Sequence, residues 1–455
     1  MAATQTVFSS LMMHSRTAMA ALMVAAVAAA AVTAPSSTAP TTTTTTDCYV
    51  TQHGAKGDGQ TEDTAAFAAT ITACTQGGLQ RRGSVIVPPG TYILRPTRLL
   101  SYTELVIQPG ATLLAWSGVG WLGGGAPPPP GWPNSTAQTC GGDGHVLAEP
   151  FPALESLLYG DAVHDVTIRG GGAIHGNGSL WWPLRQKSDY WHHCRPSLIR
   201  IGVSHGVLDS SGVVIDDVAL HDSPRFNIHA NVRHARLTRL NITADVGCPE
   251  GSKFNNDGIN IKGHDIYISD CNIHNSDDCI PIGANASDVL VERVRCACGS
   301  GATIVVWGSS EPANYIRNVT FRDMSFNRTS KSGNIKSVDL YQGMVEDITF
   351  ENFLLEDVGK AILINENGQN TAAQSDRVGG VGGIRVLNIT FRNFSGTAQH
   401  AGDFNCNKAG GGCTGINVVN VRVTGGQGNS SITPYTCNHV SGTVTDCSPQ
   451  LCFGD

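Results

Sequence analysis

Short stretches of alternating apolar and polar residues recur along the chain from about residue 163. Most carry Val, Ile, Leu or Phe at every second position, with Asn, Asp or Gly nearby. This alternation predicts strands that bury one face, and the flanking residues predict turns. The stretches begin at Val166, Val213, Ala235, Ile266, Val289, Ile316, Val345, Val386 and Ile416.

The spacing of these strands predicts the architecture. One strand every twenty-odd residues, with no helix predicted between them, is typical of a solenoid whose coils stack in parallel about 4.8 Å apart. A propeller would have a period near 40 residues, and a sandwich would not keep one motif for so many copies. We therefore predict an all-β fold, a right-handed parallel β-helix with a core of stacked aliphatic side chains.

The ends of a β-helix need covering, because an open end exposes unpaired strand edges. Residues 61–64 followed by the apolar stretch 65–71 predict a short N-terminal capping helix. A disulfide between Cys48 and Cys74 would hold this helix in place. A stapled C-terminal cap is predicted from Cys437, Cys447 and Cys452.

The N-terminal segment is predicted to lie outside the fold. Arg16 precedes an Ala-rich apolar run over 18–31, and small residues follow, which is the layout of a secretory signal peptide. The alternative is a membrane anchor, but the run is shorter than the roughly 20 residues that a span needs. We expect a signal peptide at 1–34, a Thr/Pro-rich spacer at 35–47 and one β-helix domain at 48–455.

Composition narrows the class of protein and its partners. The 455 residues are 41% hydrophobic and 15% charged, enough for a large core and too apolar for disorder. The 14 cysteines lack zinc spacing and favour disulfides in a secreted protein. A net charge of −7 without a Lys/Arg run argues against a nucleic-acid partner. We expect a monomer that is free of the membrane after signal removal.

Three aspartates stand at the start of two neighbouring strands. Asp257 lies about one coil before the adjacent pair Asp277 and Asp278, which places the three on stacked rungs. Two consecutive residues face the same side only at a turn or bulge. Carboxyl groups this close repel each other, so at least one should have a raised pKa. A protonated carboxyl beside ionised ones is suited to glycosidic bond cleavage.

Aspartates at such positions also have two roles that involve no catalysis. Clustered carboxylates bind calcium, and single Asn or Asp residues commonly stabilise turns. We interpret the single aspartates of the remaining coils as turn residues. For three aspartates at one-coil spacing we favour acid/base catalysis over a calcium site and over turn stabilisation.

Eight segments carry a resemblance to a known family, namely 53–59, 61–64, 87–92, 176–182, 195–199, 222–224, 255–258 and 276–279. In these segments the chain resembles the family-28 glycoside hydrolases, which include polygalacturonases and rhamnogalacturonan hydrolases. This resemblance implies a right-handed β-helix that cleaves with inversion. It implies that Asp277 is the general acid, that Asp257 and Asp278 hold and activate water, and that no metal or cofactor takes part. It also implies a disulfide between Cys279 and Cys296.

Two positions depart from the family pattern. Ser300 stands where the family has His, and Asn334 stands where it has Arg, whereas Lys336 keeps the family Lys. Lysine cannot reproduce the bidentate carboxylate clamp of arginine. The rhamnogalacturonan hydrolases resemble this chain in both losses. We expect Lys336 to bind a uronate carboxylate, with further substrate contacts from Ser300, Asn255, Asn334 and His229.

The predicted function is hydrolysis of an acidic, galacturonate-containing cell-wall polysaccharide, plant-type or algal, outside the cell. One alternative is a polysaccharide lyase, which needs a basic residue to abstract a proton, and no Lys or Arg base is obvious in the sequence. The second alternative is a non-catalytic polysaccharide-binding β-helix, suggested by the two altered motifs. Retention of all three aspartates argues against this second alternative.

Overall fold

The computed structural model describes residues 47–76, 83–117, 132–139, 152–186, 194–203, 208–244, 248, 254–306, 314–337, 343–366, 384–426 and 431–454. The predicted signal peptide and the spacer, apart from Asp47, lie outside these residues. Within the described part, no helix is long and apolar enough to cross a bilayer.

Among the described residues, the N-terminal half contains strands β1 to β15 and one α-helix. The helix α1 spans Thr64–Thr75. The strands are β1 Cys48–Tyr49, β2 Asp58–Glu62, β3 Ser84–Val87, β4 Gly90–Leu94, β5 Thr97–Arg98, β6 Glu104–Ile107, β7 Ala111–Ala115, β8 Asn134–Thr139, β9 Pro152–Leu154, β10 Leu158–Gly160, β11 His164–Arg169, β12 Ala173–His175, β13 Ile199–Ile201, β14 Ser210–Asp216 and β15 Ala219–His221.

The second half continues the same winding with longer strands. They are β16 Ile228–Thr238, β17 Asn241–Thr243, β18 Ile259–Ser269, β19 Asn272–His274, β20 Ile280–Gly283, β21 Ala286–Glu292, β22 Arg295–Ala297, β23 Ala302–Val306, β24 Asn314–Asn327, β25 Lys331–Ser337, β26 Gly343–Asn365, β27 Ile384–Asn405, β28 Cys413–Thr424, β29 Thr436–Asn438 and β30 Val440–Thr445. Short 3₁₀ turns occupy Val50–His53, Gly178–Leu180, Trp182–Gln186 and Lys408–Gly410.

Nearly all described strands pair in parallel with the strand one coil further along the chain. The three strands β10, β11 and β12 form one coil and pair with β13, β14 and β15 of the next. Only β8 and β9 pair antiparallel among the described strands. This topology confirms the predicted parallel β-helix.

The core is a set of columns in which each coil contributes one inward side chain at the same height. One column is aliphatic in the first coils and aromatic in later ones, where Phe350 stacks on Phe321 at 5.2 Å and on Phe391 at 5.0 Å between ring centroids. The expectation of a wholly aliphatic core is therefore wrong for the later coils. The column consists of Leu105, Ile168, Ile215, Leu237, Ile268, Val291, Phe321, Phe350, Phe391 and Val418.

Many turns place Asn or Asp in the left-handed backbone region, which these residues tolerate better than most. Asp323, Asn352, Asn393 and Asn420 all have positive φ angles. Their side chains form a ladder, in which each Asn amide donates to the residue one coil below at 2.8–2.9 Å. The single Asn and Asp residues of these coils are thus turn residues, as predicted.

Helix α1 belongs to the first coils and buries Phe67, Thr70, Ile71 and Cys74 along one face. The Cys48–Cys74 disulfide ties it to β1. Asp63 occupies the N-cap but makes no side-chain cap bond; its carboxylate accepts from the amides of Lys56 and Gly57 instead. At the C-terminal end of the fold, Cys437 pairs with Cys452, whereas Cys447 is free.

Candidate active site

The three aspartates lie in two stacked turns, just before strands β18 and β20. The Gly258 amide donates to the Asp278 carbonyl at 3.0 Å, so these turns occupy neighbouring coils. The side chains are mostly buried, with 5% of Asp257, 8% of Asp277 and 3% of Asp278 exposed. One-coil spacing therefore brings the three residues together.

Buried asparagines hold the backbone of both turns. The Asn275 amide donates to the carbonyls of Asp278 at 2.9 Å and Asn256 at 3.1 Å. The Asn256 side-chain oxygen accepts from the Ser276 amide at 2.9 Å. Asn227, one coil below, donates to the Asp257 carbonyl at 3.0 Å. Since a buried carbonyl must be paired, these side chains fix where the aspartates project.

Two glycines allow the turns to pack this closely. A Cβ atom on Gly258 would lie 2.4 Å from the Cys279 carbonyl oxygen. On Gly299 it would lie 2.2 Å from the Asp277 carbonyl oxygen. The Cys279–Cys296 disulfide, as the resemblance implied, joins the end of the Asp277–Asp278 turn to β22, the third strand of the coil that begins with β20.

The Asp278 carboxyl group contacts two donors. Lys336 Nζ lies 2.7 Å from its Oδ2, and Thr303 Oγ1 donates to its Oδ1 at 2.9 Å. Burial lowers the pKa of Lys336, but the charges of Asp278 and Asp277 and the hydrogen bond to Asp278 outweigh burial and raise it. Lys336 is therefore a cation, and it is paired with Asp278.

Asp257 has the opposite electrostatic character. Burial, followed by the negative charges of Asp277 and Asp278, raises its pKa well above the ordinary value, and Lys336 and Asn260 oppose this only in part. Its Oδ2 accepts from Asn260 Nδ2 at 3.0 Å. The expected raised pKa is thus found on Asp257.

Asp277 faces a group of arginines that the sequence patterns did not identify as site residues. The charge of Asp277 acts on both Arg185 and Arg195. Burial, then Arg225 and Arg185, lower the pKa of the fully buried Arg195 well below its ordinary value. Arg195 also donates to the Phe254 carbonyl at 2.9 Å. Arg195 belongs to segment 195–199, which carries part of the family resemblance. That segment did not indicate that Arg195 lies near the aspartates.

Three of the predicted substrate-binding residues, Asn255, His229 and Ser300, have different contacts around the aspartate turns. Asn255 donates weakly to Asp257 at 3.4 Å, and His229 is 9% exposed and packs edge-on against Phe226. The Ser300 hydroxyl is 2.8 Å from that of Ser330.

Asn334 is fully buried and donates to Thr303 at 3.4 Å. Its expected contact with substrate is therefore wrong, because a side chain with no exposed surface cannot touch a polymer. Asn334 lies behind Thr303, which itself binds Asp278.

Lys331 is a second cation near the acids that sequence reasoning missed. The charges of Asp278 and Asp277 act on it, as does that of Lys336. No Lys or Arg base is obvious in the sequence, but both Lys331 and Lys336 lie near the acids in the structure. The charges near the acids therefore do not by themselves distinguish a lyase from a hydrolase.

The geometry does not favour a cation held by all three aspartates. Among the described residues, two groups of three potential ligands come within 4.8 Å of one another, and the aspartates form neither. Each of those two groups contains a disulfide, Cys248–Cys298 or Cys406–Cys413, whose sulfurs are not thiolate ligands.

Comparison with known proteins decides the family. A family model described as "Glycosyl hydrolases family 28" matches residues 150–447, more than half of the chain. The chain belongs to glycoside hydrolase family 28. A second model, described as "Rhamnogalacturonase A/epimerase, pectate lyase-like", matches residues 48–112. The family assignment confirms the predicted enzyme class, a glycoside hydrolase, over the lyase and binding-protein alternatives.

Individual relatives agree with this family. A probable polygalacturonase of Arabidopsis thaliana is 27% identical over 88% of this chain and 79% of its own. A polygalacturonase of Prunus persica is 25% identical over 87% of this chain and 90% of its own. The solved polygalacturonase of Erwinia carotovora ssp. carotovora has a TM-score of 0.64 at 20% identity, covering 88% of this chain and 96% of that one. This last likeness shows that the fold is shared.

Proposed function

We propose that this family-28 enzyme hydrolyses galacturonate-containing, pectin-like polysaccharide with inversion at the anomeric carbon. The observation that carries the proposal is the meeting of Asp257, Asp277 and Asp278 in two stacked turns beside Lys336. The relatives named polygalacturonases support the substrate class.

The surroundings of the three carboxyl groups suggest separate roles. Asp278, paired with Lys336 and Thr303, is the base that takes a proton from water. Asp257 has a raised pKa, so in its protonated form it holds that water rather than deprotonating it. Asp277 protonates the leaving oxygen, as the family resemblance implies. Inversion requires acid and base to act from opposite sides of the sugar.

Substrate and stereochemistry test the function. We expect purified enzyme to release reducing ends from homogalacturonan or rhamnogalacturonan, each incubated separately, with inverted configuration in the first NMR spectra. Asp277→Asn should lower kcat by roughly 10²–10⁴ while binding and thermal melting are kept. A product that absorbs in the near ultraviolet would indicate elimination, and no cleavage of either polymer would overturn the proposal.

A substrate with a good leaving group tests the assignment of the acid. Such a leaving group needs little protonation, so Asp277→Asn should recover much of its activity on an aryl galacturonide. Asp278→Asn should not recover, because the water still needs a base. If Asp257→Asn, rather than Asp277→Asn, recovered activity on the aryl galacturonide, Asp257 would be the general acid.

We also propose that the protein is exported. Five disulfides lie within the described residues, which suits an oxidising compartment. N-terminal sequencing of protein recovered from the medium should show cleavage near residue 34. Retention inside the cell with an intact N-terminus would contradict export.

A further inference from the structure

The start of strand β25 carries one more residue than the coil below it. The Ser300 amide donates to the Asp277 carbonyl, and the Ser330 amide donates to the Gly299 carbonyl, both at 2.8 Å. Ser330 therefore lies two coils above Asp278, opposite Ser300. Ala302 nevertheless pairs with Gly333, so two residues separate Ser330 from Gly333 where one separates Ser300 from Ala302.

This extra residue makes a bulge that contains Lys331. Bulges redirect side chains and are frequent beside active sites. Two stacked rungs span about 10 Å, which is comparable to the length of a disaccharide. Lys331 thus lies within reach of a sugar unit adjoining the bond that the aspartates would cleave.

The charge around Lys331 is incompletely balanced. Lys331 pairs in register with Lys360 on the next coil, and like charges on neighbouring strands are destabilising. Lys360 has its own ion pair with Asp403. Among the described residues, no carboxylate forms an ion pair with the Lys331 ammonium within 4.0 Å, and Asp278 is paired with Lys336. The site consequently offers a cation without a fixed anion.

The surroundings of Lys331 favour binding of an anion from outside. Burial is the main cause that lowers its pKa, and Lys336 and Lys360 add to it, while Asp278 and Asp277 oppose it. An incoming carboxylate would offset this desolvation. The hydroxyl groups of Ser300 and Ser330, the latter next to Lys331 in sequence, are hydrogen-bonded to each other at 2.8 Å, which leaves one O–H as a further donor.

We propose that Lys331 binds the carboxylate of the uronate unit next to the scissile bond and determines the preference for acidic over neutral sugar chains. This role differs from that expected for Lys336, whose ammonium is committed to Asp278. The inference rests on the proposed function, since it presupposes cleavage of a galacturonide.

The test compares acidic and neutral forms of one substrate. KM and kcat are measured on oligogalacturonides and on their methyl esters, which keep the ring but lose the charge. We expect Lys331→Met to raise KM for the acid by about ten- to a hundredfold, the range for a hydrogen bond to a charged group, with kcat nearly unchanged. KM for the methyl ester should stay within about twofold, and Lys331→Arg should recover most of the affinity for the acid.

Lys408→Met is the control, because it removes the same charge from an exposed position outside the active site. It should leave both KM values unchanged, and circular dichroism and melting confirm that each variant is folded. An equal effect of Lys331→Met on acid and ester, or no effect on either, would overturn the inference. If wild-type enzyme cleaves neither substrate, the proposed function itself fails.

Discussion

Aspartates in the turns of this protein have opposite effects on stability, depending on their surroundings. Asp270 is exposed and hydrogen-bonded to Arg293, which lowers its pKa to about 2. Asp257 is buried beside Asp277 and Asp278, and its pKa is raised. The two residues should therefore respond to pH in opposite directions.

Replacing Asp257 by Asn should reveal this contribution. The folded-state pKa of Asp257 is raised. The favourable contribution of this carboxyl group to the free energy of unfolding is therefore fully present below the unfolded pKa, near 3.9. This contribution is lost as the pH rises through the folded pKa. Asp257→Asn should therefore melt higher than wild type at neutral pH, with the difference shrinking toward acid pH. Melting temperatures measured from acid to neutral pH test this, and parallel curves would contradict it.

Asp270→Asn is the control of opposite sign. The pKa of Asp270 is lowered, so its contribution is present above the unfolded pKa and is lost as the pH falls toward about 2. This variant should melt slightly lower than wild type at neutral pH and converge with it in acid. Its activity should be unchanged, whereas that of Asp257→Asn should fall.

At the scale of single elements, the two turns that carry the three aspartates depend on side chains that are fully buried. Asn227, Asn256 and Asn275 are fully buried, and each bonds to the backbone of a turn. Without these hydrogen bonds, the buried backbone carbonyls of the turns would have no partner, and the turns could adopt several conformations. The asparagines should therefore matter for both stability and the placement of the acids.

Asn275→Ala should separate these two effects. It leaves the carbonyls of Asp278 and Asn256 without this donor, which we expect to destabilise the fold by about 1–3 kcal/mol. Since Asp278 is also displaced, kcat should fall by more than tenfold at a temperature where the variant remains folded. Denaturant unfolding and kinetics are the measurements. Asn352→Ala, in an exposed turn ladder, is the matched control and should keep full activity.

Sequence patterns predict the two aspartate turns well and the residues around them poorly. One-coil spacing is enough to place Asp257 next to Asp277 and Asp278, because stacking in a β-helix follows from the winding alone. The position of Lys331 depends on a bulge, and alternation does not show where an extra residue is accommodated. The sequence also does not show that Asn334 is fully buried next to Thr303 of β23.

At the scale of the whole molecule, the winding is predictable because every coil must supply inward residues at the same heights. The aromatic character of the later coils was also visible, since Thr-Phe recurs at Phe321, Phe350 and Phe391. The low overall aromatic content of 6% concealed this local concentration. The average aromatic content of the chain therefore predicts an aliphatic core, which is correct for this column in the first coils but not in the later ones.

The phenylalanine column should make the later coils a cooperative unit. A solenoid is stabilised mainly by contacts between neighbouring coils, so a defect in the middle of a column weakens two interfaces. Phe350 stacks on both Phe321 and Phe391 and is fully buried. Phe350→Ala should therefore destabilise the protein by about 3–5 kcal/mol, measured by urea unfolding.

Phe350→Leu is the matched variant, because it keeps most of the apolar volume and loses the ring stacking, and it should cost clearly less than Phe350→Ala. Hydrogen exchange then tests where the damage is located. Loss of protection should concentrate in β24, β26 and β27, the strands that carry the column, while β11 and β14 keep theirs. Uniform loss across all coils would instead show that the solenoid unfolds as one body, and that the aromatic column confers no separate cooperativity.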